Sequence, residues 1–170
     1  MFEVGDYVIY GNNGVCMVEA VGTMNMSGIS KDRLYYTLVP VYKHGSKVFT
    51  PIDNNKVIMR RIISKEEALE LIDNINGIES LWVQEERRRE QIYKEALKTC
   101  DCKELIKIIK TLYLRRQSRM ADGKKVTAVD EKYLIIAEEH LYGELAIPLK
   151  MPKDKVEEYI ADRVGTMELE

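Results

Sequence analysis

Apolar and polar positions follow two different periods along this chain, and the change falls at Ser64. Upstream of it, short β-rich runs alternate with turn residues. Tyr7-Val8-Ile9-Tyr10 ends at Gly11-Asn12-Asn13-Gly14, a turn signal because Gly and Asn tolerate positive φ. Residues 15–21 resume a strand pattern with Cys16 among apolar neighbours, and residues 24–30 form a polar, Gly-containing connection. Residues 33–42 supply Tyr35, Tyr36, Leu38, Val39, Val41 and Tyr42, interrupted by Pro40. Proline cannot donate to a ladder, so this run suits an edge or a bulge. His44-Gly45-Ser46 reads as a turn, Lys47-Val48-Phe49-Thr50 as a short strand stopped by Pro51, and Val57-Ile58-Met59 as a fifth strand. Short strands at this spacing predict a small barrel or a strongly bent sheet.

From Ser64 the spacing becomes helical. Ser64 followed by Glu67 reads as a capping box, opening a helix through Ile75 that Asn76-Gly77 stops. Residues 81–99 read as a second helix, with Ile92, Tyr93, Ala96 and Leu97 on one stripe. Asp101 with Glu104 opens a third, whose stripe is Leu105, Ile108, Ile109 and Leu112, broken at Ala121-Asp122-Gly123. Residues 127–145 predict a fourth helix with Leu134, Ala137, Leu141 and Leu145 inward; Pro148 ends it, and Pro152 opens a last helix through Arg163. The expected fold is α+β: a β module over residues 1–63 and a compact all-α module over residues 64–170.

Composition narrows the class. The chain has 170 residues, 45% apolar and 32% charged, enough for a buried core and far from the composition of a disordered chain. No apolar run approaches the ~20 residues of a membrane span, and an acid stands where a signal peptide would carry lysines. Three cysteines, Cys16, Cys100 and Cys102, are too few for a disulfide scaffold and fit a reducing cytoplasm.

The net charge of −2 changes the picture only when it is divided. Residues 1–64 carry +2, residues 65–86 carry −6, residues 87–125 carry +8 and residues 126–170 carry −6. A polyanion responds to the local field within about one Debye length, ~8–10 Å at physiological salt, so the basic block matters more than the total.

Catalytic and metal chemistry find no footing. His44 and His140 lack ligand spacing to a cysteine or to each other, and Cys100-Asp101-Cys102 has one intervening residue where zinc and redox motifs use two. No phosphate-binding Gly-rich loop and no Gly-x-Ser-x-Gly elbow occur. The expectation is a chain that is not an enzyme and takes no metal, cofactor or small-molecule substrate.

Trp82, the only tryptophan, stands just before the basic block. On a helix through residue 81, Arg89 and Tyr93 share its face while Arg87 and Arg88 point away. Two readings follow: an indole that closes the apolar stripe, or an indole exposed beside guanidinium groups, able to wedge at a distorted base step while cations hold phosphates. Lys94 extends the first basic cluster, and Arg115, Arg116, Arg119, Lys124 and Lys125 form a second where two helices should meet.

The run Phe2-Glu3-Val4-Gly5-Asp6-Tyr7-Val8-Ile9-Tyr10, followed by Gly14-Val15 and Val18-Glu19-Ala20-Val21, resembles the opening of the CarD/CdnL family of bacterial transcription regulators. That opening is shared with the polymerase-interaction module of transcription-repair coupling factors. Asp101, Leu112, Arg115-Arg116 and residues 137–146, closing on Gly143-Glu144-Leu145-Ala146, resemble the family's helical half. The resemblance implies a Tudor- or SH3-like barrel that docks on the RNA polymerase β subunit by pairing an edge strand. The corresponding edge is Lys47, Val48, Phe49, Thr50 and Pro51, with Met24 at a neighbouring position. It further implies helices that contact promoter DNA at the upstream edge of the bubble, with the tryptophan in the minor groove, stabilising the open complex. The other function class left open is an adaptor whose helices bind protein rather than DNA.

Overall fold

The computed structural model describes residues 1–24, 27–28, 31–81 and 83–165; Trp82 lies outside the described residues. The chain forms two compact units, Met1–Ile62 and Ile63–Glu170, within an α+β class.

The first unit is a five-stranded antiparallel sheet. Its strands are β1 (Tyr7–Tyr10), β2 (Val15–Thr23), β3 (Leu34–Pro40), β4 (Val48–Pro51) and β5 (Met59–Arg61), in the order β4-β3-β2-β1-β5. Gly11 (φ 48°) and Gly14 (φ 67°) make the tight return between β1 and β2. Val8, Tyr10, Cys16, Val18, Tyr36 and Leu38 fill the core on one face. Phe2 seals it, its ring edge-on to Tyr36 at 5.9 Å and its backbone N–H donating to the Tyr36 hydroxyl at 3.0 Å. Burial pushes the Cys16 thiol up to about 11, against a smaller opposing pull from Lys43.

Three expectations for this unit change. The sheet is open rather than closed into a barrel: β4 and β5 hold four and three residues, pair on one side only, and stand as the two edges. Closure needs a continuous ladder between first and last strands, and these are short. Pro40 lies not on an edge but at the last residue of interior strand β3, opposite Cys16, and the ladder resumes with Val41 N–H donating to the Val15 carbonyl at 3.0 Å. The fifth strand starts two residues late because the Asn54 side chain accepts the Val57 N–H (3.3 Å) and donates to the Val57 carbonyl (2.9 Å), holding a turn there. A register shift between Val18 and Ala20 marks a bulge that bends β2.

The second unit contains α1 (Lys65–Asp73), α2 (Arg89–Lys98), α3 (Cys102–Ala121), α4 (Ala128–Leu149) and α5 (Val156–Val164). Ser64 and Glu67 form the expected capping box, with both reciprocal hydrogen bonds at 3.0 and 3.1 Å. Asp101 caps α3 through the Lys103 N–H (2.8 Å), and Thr127 caps α4 through the Asp130 N–H (3.1 Å). Leu105, Ile108, Ile109 and Leu112 from α3 meet Leu134, Ala137, Leu141 and Leu145 from α4 in one core. The last part of α4 is buried without a break from Leu141 to Ala146, so even the Glu144 carboxylate is inside. It is satisfied there by the Ile63 N–H (3.0 Å) and the Cys102 thiol (3.2 Å). Pro148 does not stop α4, which ends at Leu149 with Lys150 in the left-handed region. The proline costs a single ladder bond in the last turn. Pro152 precedes a 3-10 turn at Lys153–Lys155 that leads into α5.

The largest departure is at the second helix, which begins at Arg89 rather than residue 81. Side chains of α3 have claimed the backbone upstream. Thr111 Oγ1 accepts the Leu81 N–H at 2.7 Å, and the buried Lys110 ammonium donates to the Ile78 carbonyl at 2.5 Å. These two bonds hold the chain at residues 78–81 against α3, and residues 83–85 that follow are not helical.

Candidate functional site

The edge strand β4 and the basic block of residues 87–125 are the two candidate surfaces, and each is described within its own unit.

On the sheet, Ile52 N–H donates to the Leu34 carbonyl at 3.1 Å. Bonded pairs in an antiparallel ladder recur every second residue. With the register Leu38↔Val48, Thr37↔Phe49, Tyr36↔Thr50 and Tyr35↔Pro51, the backbone groups of Val48 and Thr50 therefore face β3. Those of Phe49 and Pro51 face away from the sheet. The Phe49 side chain is 45% exposed, whereas Thr50 is buried with its hydroxyl unpartnered. Lys47 pairs with Glu19 at 3.0 Å, both half-exposed. Met24 follows β2 and is half-buried, two strands away from β4.

The opposite edge is built differently. Gly11 N–H to the Ile58 carbonyl (2.9 Å) and Ile62 N–H to the Tyr7 carbonyl (3.3 Å) fix the parity of β5, so Met59 and Arg61 face outward. The Arg61 carbonyl is already occupied by the Arg60 guanidinium at 3.1 Å. Arg61 itself pairs with Asp6 at 3.3 Å and lies over the Phe2 ring. At Arg61 this edge is blunted by a neighbouring side chain, while the backbone groups of Met59 face outward as those of Phe49 do.

The basic block divides on inspection. Arg115 projects from α3 to the buried Asp130 carboxylate at the start of α4 and to Glu86, with Nη1–Oε2 at 3.1 Å. Arg89 bonds the same Glu86 at 3.3 Å and the Tyr93 hydroxyl at 2.6 Å. Tyr93 in turn reaches Asp130 at 3.4 Å, its ring lies 5.5 Å from that of Tyr133, and Tyr133 donates to Glu90 at 2.9 Å. Burial raises the Glu86 carboxyl, but Arg89 and Arg115 outweigh it and hold it below the usual range. Burial also pushes the Tyr93 phenol up. Arg89 and Arg115, with side chains 15% and 17% exposed, are thus tied into the contact among α2, α3 and α4. Lys110 is internal as well.

The remaining cations lie nearer solvent. Arg87 is 85% exposed with one contact, to Glu85 at 3.0 Å, and Arg88 and Lys94 are exposed. Arg116 is half-buried over the Tyr113 ring. At the corner between α3 and α4, Arg119 Nε donates to the Lys125 carbonyl (2.6 Å) and Lys124 N–H to the Arg119 carbonyl (2.8 Å), presenting the exposed side chains of Lys124 and Lys125 together. Because residues 83–85 are not helical, no helix face links residue 82 to Arg89 and Tyr93.

Sequence reasoning missed the Glu86–Arg115–Asp130 network. Thr127 with Asp130 reads as an ordinary helix start, and nothing local couples Asp130 to an arginine fifteen positions earlier. The outward orientation of the Phe49 N–H is equally invisible in the sequence, since it follows from ladder parity rather than residue type. Among the described residues no group of three or more His, Cys, Asp or Glu could hold a metal ion, and no helix is long and apolar enough to cross a membrane.

Residues 2–63 match the family model of the CarD-like/TRCF RID domain. The match covers the whole five-stranded sheet and ends before α1. The sheet unit is therefore similar to a transcription-related protein-interaction domain, and residues 64–170 lie outside the match.

Proposed function

We propose that this chain is a non-catalytic bacterial transcription regulator of the CarD/CdnL type, whose sheet unit docks on the RNA polymerase β subunit through the β4 edge. The observation that carries the reading is the coincidence of two facts at one place. The sheet matches an RID-type domain over residues 2–63, and its β4 edge has backbone groups open to a further strand. Strand addition suits such an edge, because the partner satisfies backbone donors and acceptors while side chains select it. The helical unit then contacts promoter DNA through its outward cations, Arg87, Arg88, Lys94, Lys124 and Lys125, with Trp82 as the wedge at the edge of the bubble, and slows reclosing. Contact of this kind responds to duplex shape and deformability with little base reading.

Docking is tested by capture of the cognate RNA polymerase core enzyme by the full chain. Retention that a proline at Phe49, whose N–H faces away from β3, abolishes supports it; no association even at low salt overturns it. The DNA arm is tested on forked duplex, where affinity should fall steeply with salt as phosphate-bound counterions are released. A second reading, an adaptor whose helices bind protein, is favoured by the withdrawal of Arg89, Lys110 and Arg115 into internal contacts. A flat salt response on forked DNA selects the adaptor.

A further inference from the structure

The acidic pair ahead of α2 is bound to the arginines beside it. Glu85 holds Arg87 at 3.0 Å, and Glu86, one residue on, sits between Arg89 and Arg115. The Arg115 guanidinium is divided between two carboxylates. Its Nε is committed to the buried Asp130, while Nη1 and Nη2 take both oxygens of Glu86, with Nη1–Oε2 at 3.1 Å. Arg89 Nε reaches the same Oε2 at 3.3 Å, and its Nη1 donates to the Tyr93 hydroxyl at 2.6 Å. Both arginine side chains are largely covered, yet the carboxylate they hold is 64% exposed. The Arg115 fork is thus filled at the surface by a side chain of the same unit.

We infer that Glu86 is a built-in stand-in for a phosphate: in the free chain it closes an anion site made by the Arg115 fork and Arg89, and a nucleic-acid backbone opens that site by displacing it. This rests on contact of the helical unit with DNA and adds to it a site and a gate. A carboxylate and a phosphodiester present a similar pair of oxygens to a guanidinium fork, so one can replace the other there. The two acids on Arg115 differ in what they lose when it lets go. Asp130, 3% exposed, would be left as a buried charge without a cation, a large penalty. Glu86 returns to water, and an exposed ion pair contributes little. The Asp130 arm therefore keeps the guanidinium in place, while the Glu86 arm is exchangeable.

The neighbours set which anion can do this. A single phosphate ion has to compete with a carboxylate already tethered beside the fork, at high effective concentration. A polyanion brings further phosphates to Arg87 and Arg88, which follow Glu86 in the chain and are exposed. Several contacts made at once then offset the loss of the Glu86 pair. The ligand class is an extended phosphodiester chain rather than free phosphate. Until such a chain arrives, two arginines of the basic block stay neutralised by Glu86 and Asp130, which keeps its resting affinity for polyanions low.

The test compares the full chain with Glu86→Gln and Glu95→Gln on forked duplex DNA across a salt series. Glu95 is exposed on α2 and bonded to the neutral Gln91 at 3.2 Å, so neutralising it changes the net charge equally without freeing an arginine. Glu86→Gln should bind about five- to tenfold more tightly, with a salt slope steeper by about one. Glu95→Gln should stay within about twofold of the unaltered chain, with its slope unchanged. Carbon NMR of the unaltered chain gives a second reading that needs no variant. Forked DNA should shift the Glu86 side-chain carboxyl resonance and leave that of Asp130 in place, while inorganic phosphate at the same phosphate concentration should move neither. Equal gains from the two variants, or a Glu86 carboxyl that does not shift in the DNA complex, overturn the inference and leave DNA contact standing. A Glu86 carboxyl displaced by inorganic phosphate alone makes the fork a site for the free ion, and also overturns it. Absence of salt-dependent DNA binding by both the unaltered chain and Glu86→Gln overturns DNA contact itself, and the inference with it.

Discussion

The two units hold their capacity for interaction in different currencies. In the sheet it lies in backbone groups at one edge, which composition does not reveal: the outward N–H of Phe49 belongs to no motif and bears no charge. In the helical unit the sequence places it in thirteen lysines and arginines between residues 87 and 125, which composition reveals at once. The geometry reverses their standing. Arg89, Lys110 and Arg115 are spent on internal partners, while the β4 edge stays open. A count of cations sets an upper bound on a surface field, and the parity of a ladder states outright which groups face away from the sheet.

The comparison breaks most visibly if Arg115 proves dispensable to folding. Arg115→Ala leaves the Asp130 carboxylate 3% exposed with no cation, and truncating one partner of a buried pair costs about 3–5 kcal/mol. Urea unfolding should show a loss of that order, far above the ±0.5 kcal/mol of an ordinary surface change such as Arg87→Ala. A near-neutral Arg115→Ala would return this residue to the surface set.

A smaller effect sharpens the other half of the contrast. Lys124→Gln with Lys125→Gln should leave stability within about 0.5 kcal/mol, because both side chains are exposed. On forked DNA the pair should reduce the salt slope by about one to two, one for each lost phosphate contact. A stability loss with an unchanged slope would make the corner between α3 and α4 structural.

The smallest expected effect concerns Glu138, half-buried on α4. Burial raises its carboxyl above the usual range and the Glu157 carboxylate raises it further, while Tyr113, bonded at 3.3 Å, opposes them. A raised pKa in the folded state means that the folded chain holds more proton than the unfolded one between the two values. Stability therefore falls as pH rises through that window and stays lowered above it. Glu138→Gln keeps an acceptor for Tyr113 and should raise the Tm at pH 7 by an amount worth within about 1 kcal/mol. The gain should vanish toward pH 4, where both forms are neutral. A loss of stability at pH 7 would mean that the charge itself is needed.

What could be read in advance was what is encoded locally. Ser64 with Glu67, Asp101 and Thr127 announce helix starts because a cap needs only residues within one turn. The α3 stripe of Leu105, Ile108, Ile109 and Leu112 is a matter of spacing, and all four are buried. The misreadings at the second helix and at sheet closure have a long-range cause, while that at the fifth strand is local. Residues 81–85 have the composition of a helix, but Thr111 and Lys110 pair with the backbone at Leu81 and Ile78 from thirty-odd positions away. The fifth strand starts late because one side chain, Asn54, holds the turn before it. Closure of the sheet depends on whether two short edges meet, a property of the whole unit that no single run contains. At the candidate surfaces, residue type located the β4 segment and the basic clusters, while the orientation of each group waited on register and packing.

The most direct measurement is the affinity of the full chain for cognate RNA polymerase core enzyme, taken side by side for the unaltered protein, Phe49→Ala, and the Lys124→Gln, Lys125→Gln pair. Docking through the β4 edge predicts about a tenfold loss for Phe49→Ala and no more than about a twofold change for the lysine pair. Polymerase binding that ignores Phe49→Ala and collapses with the lysine pair would contradict it.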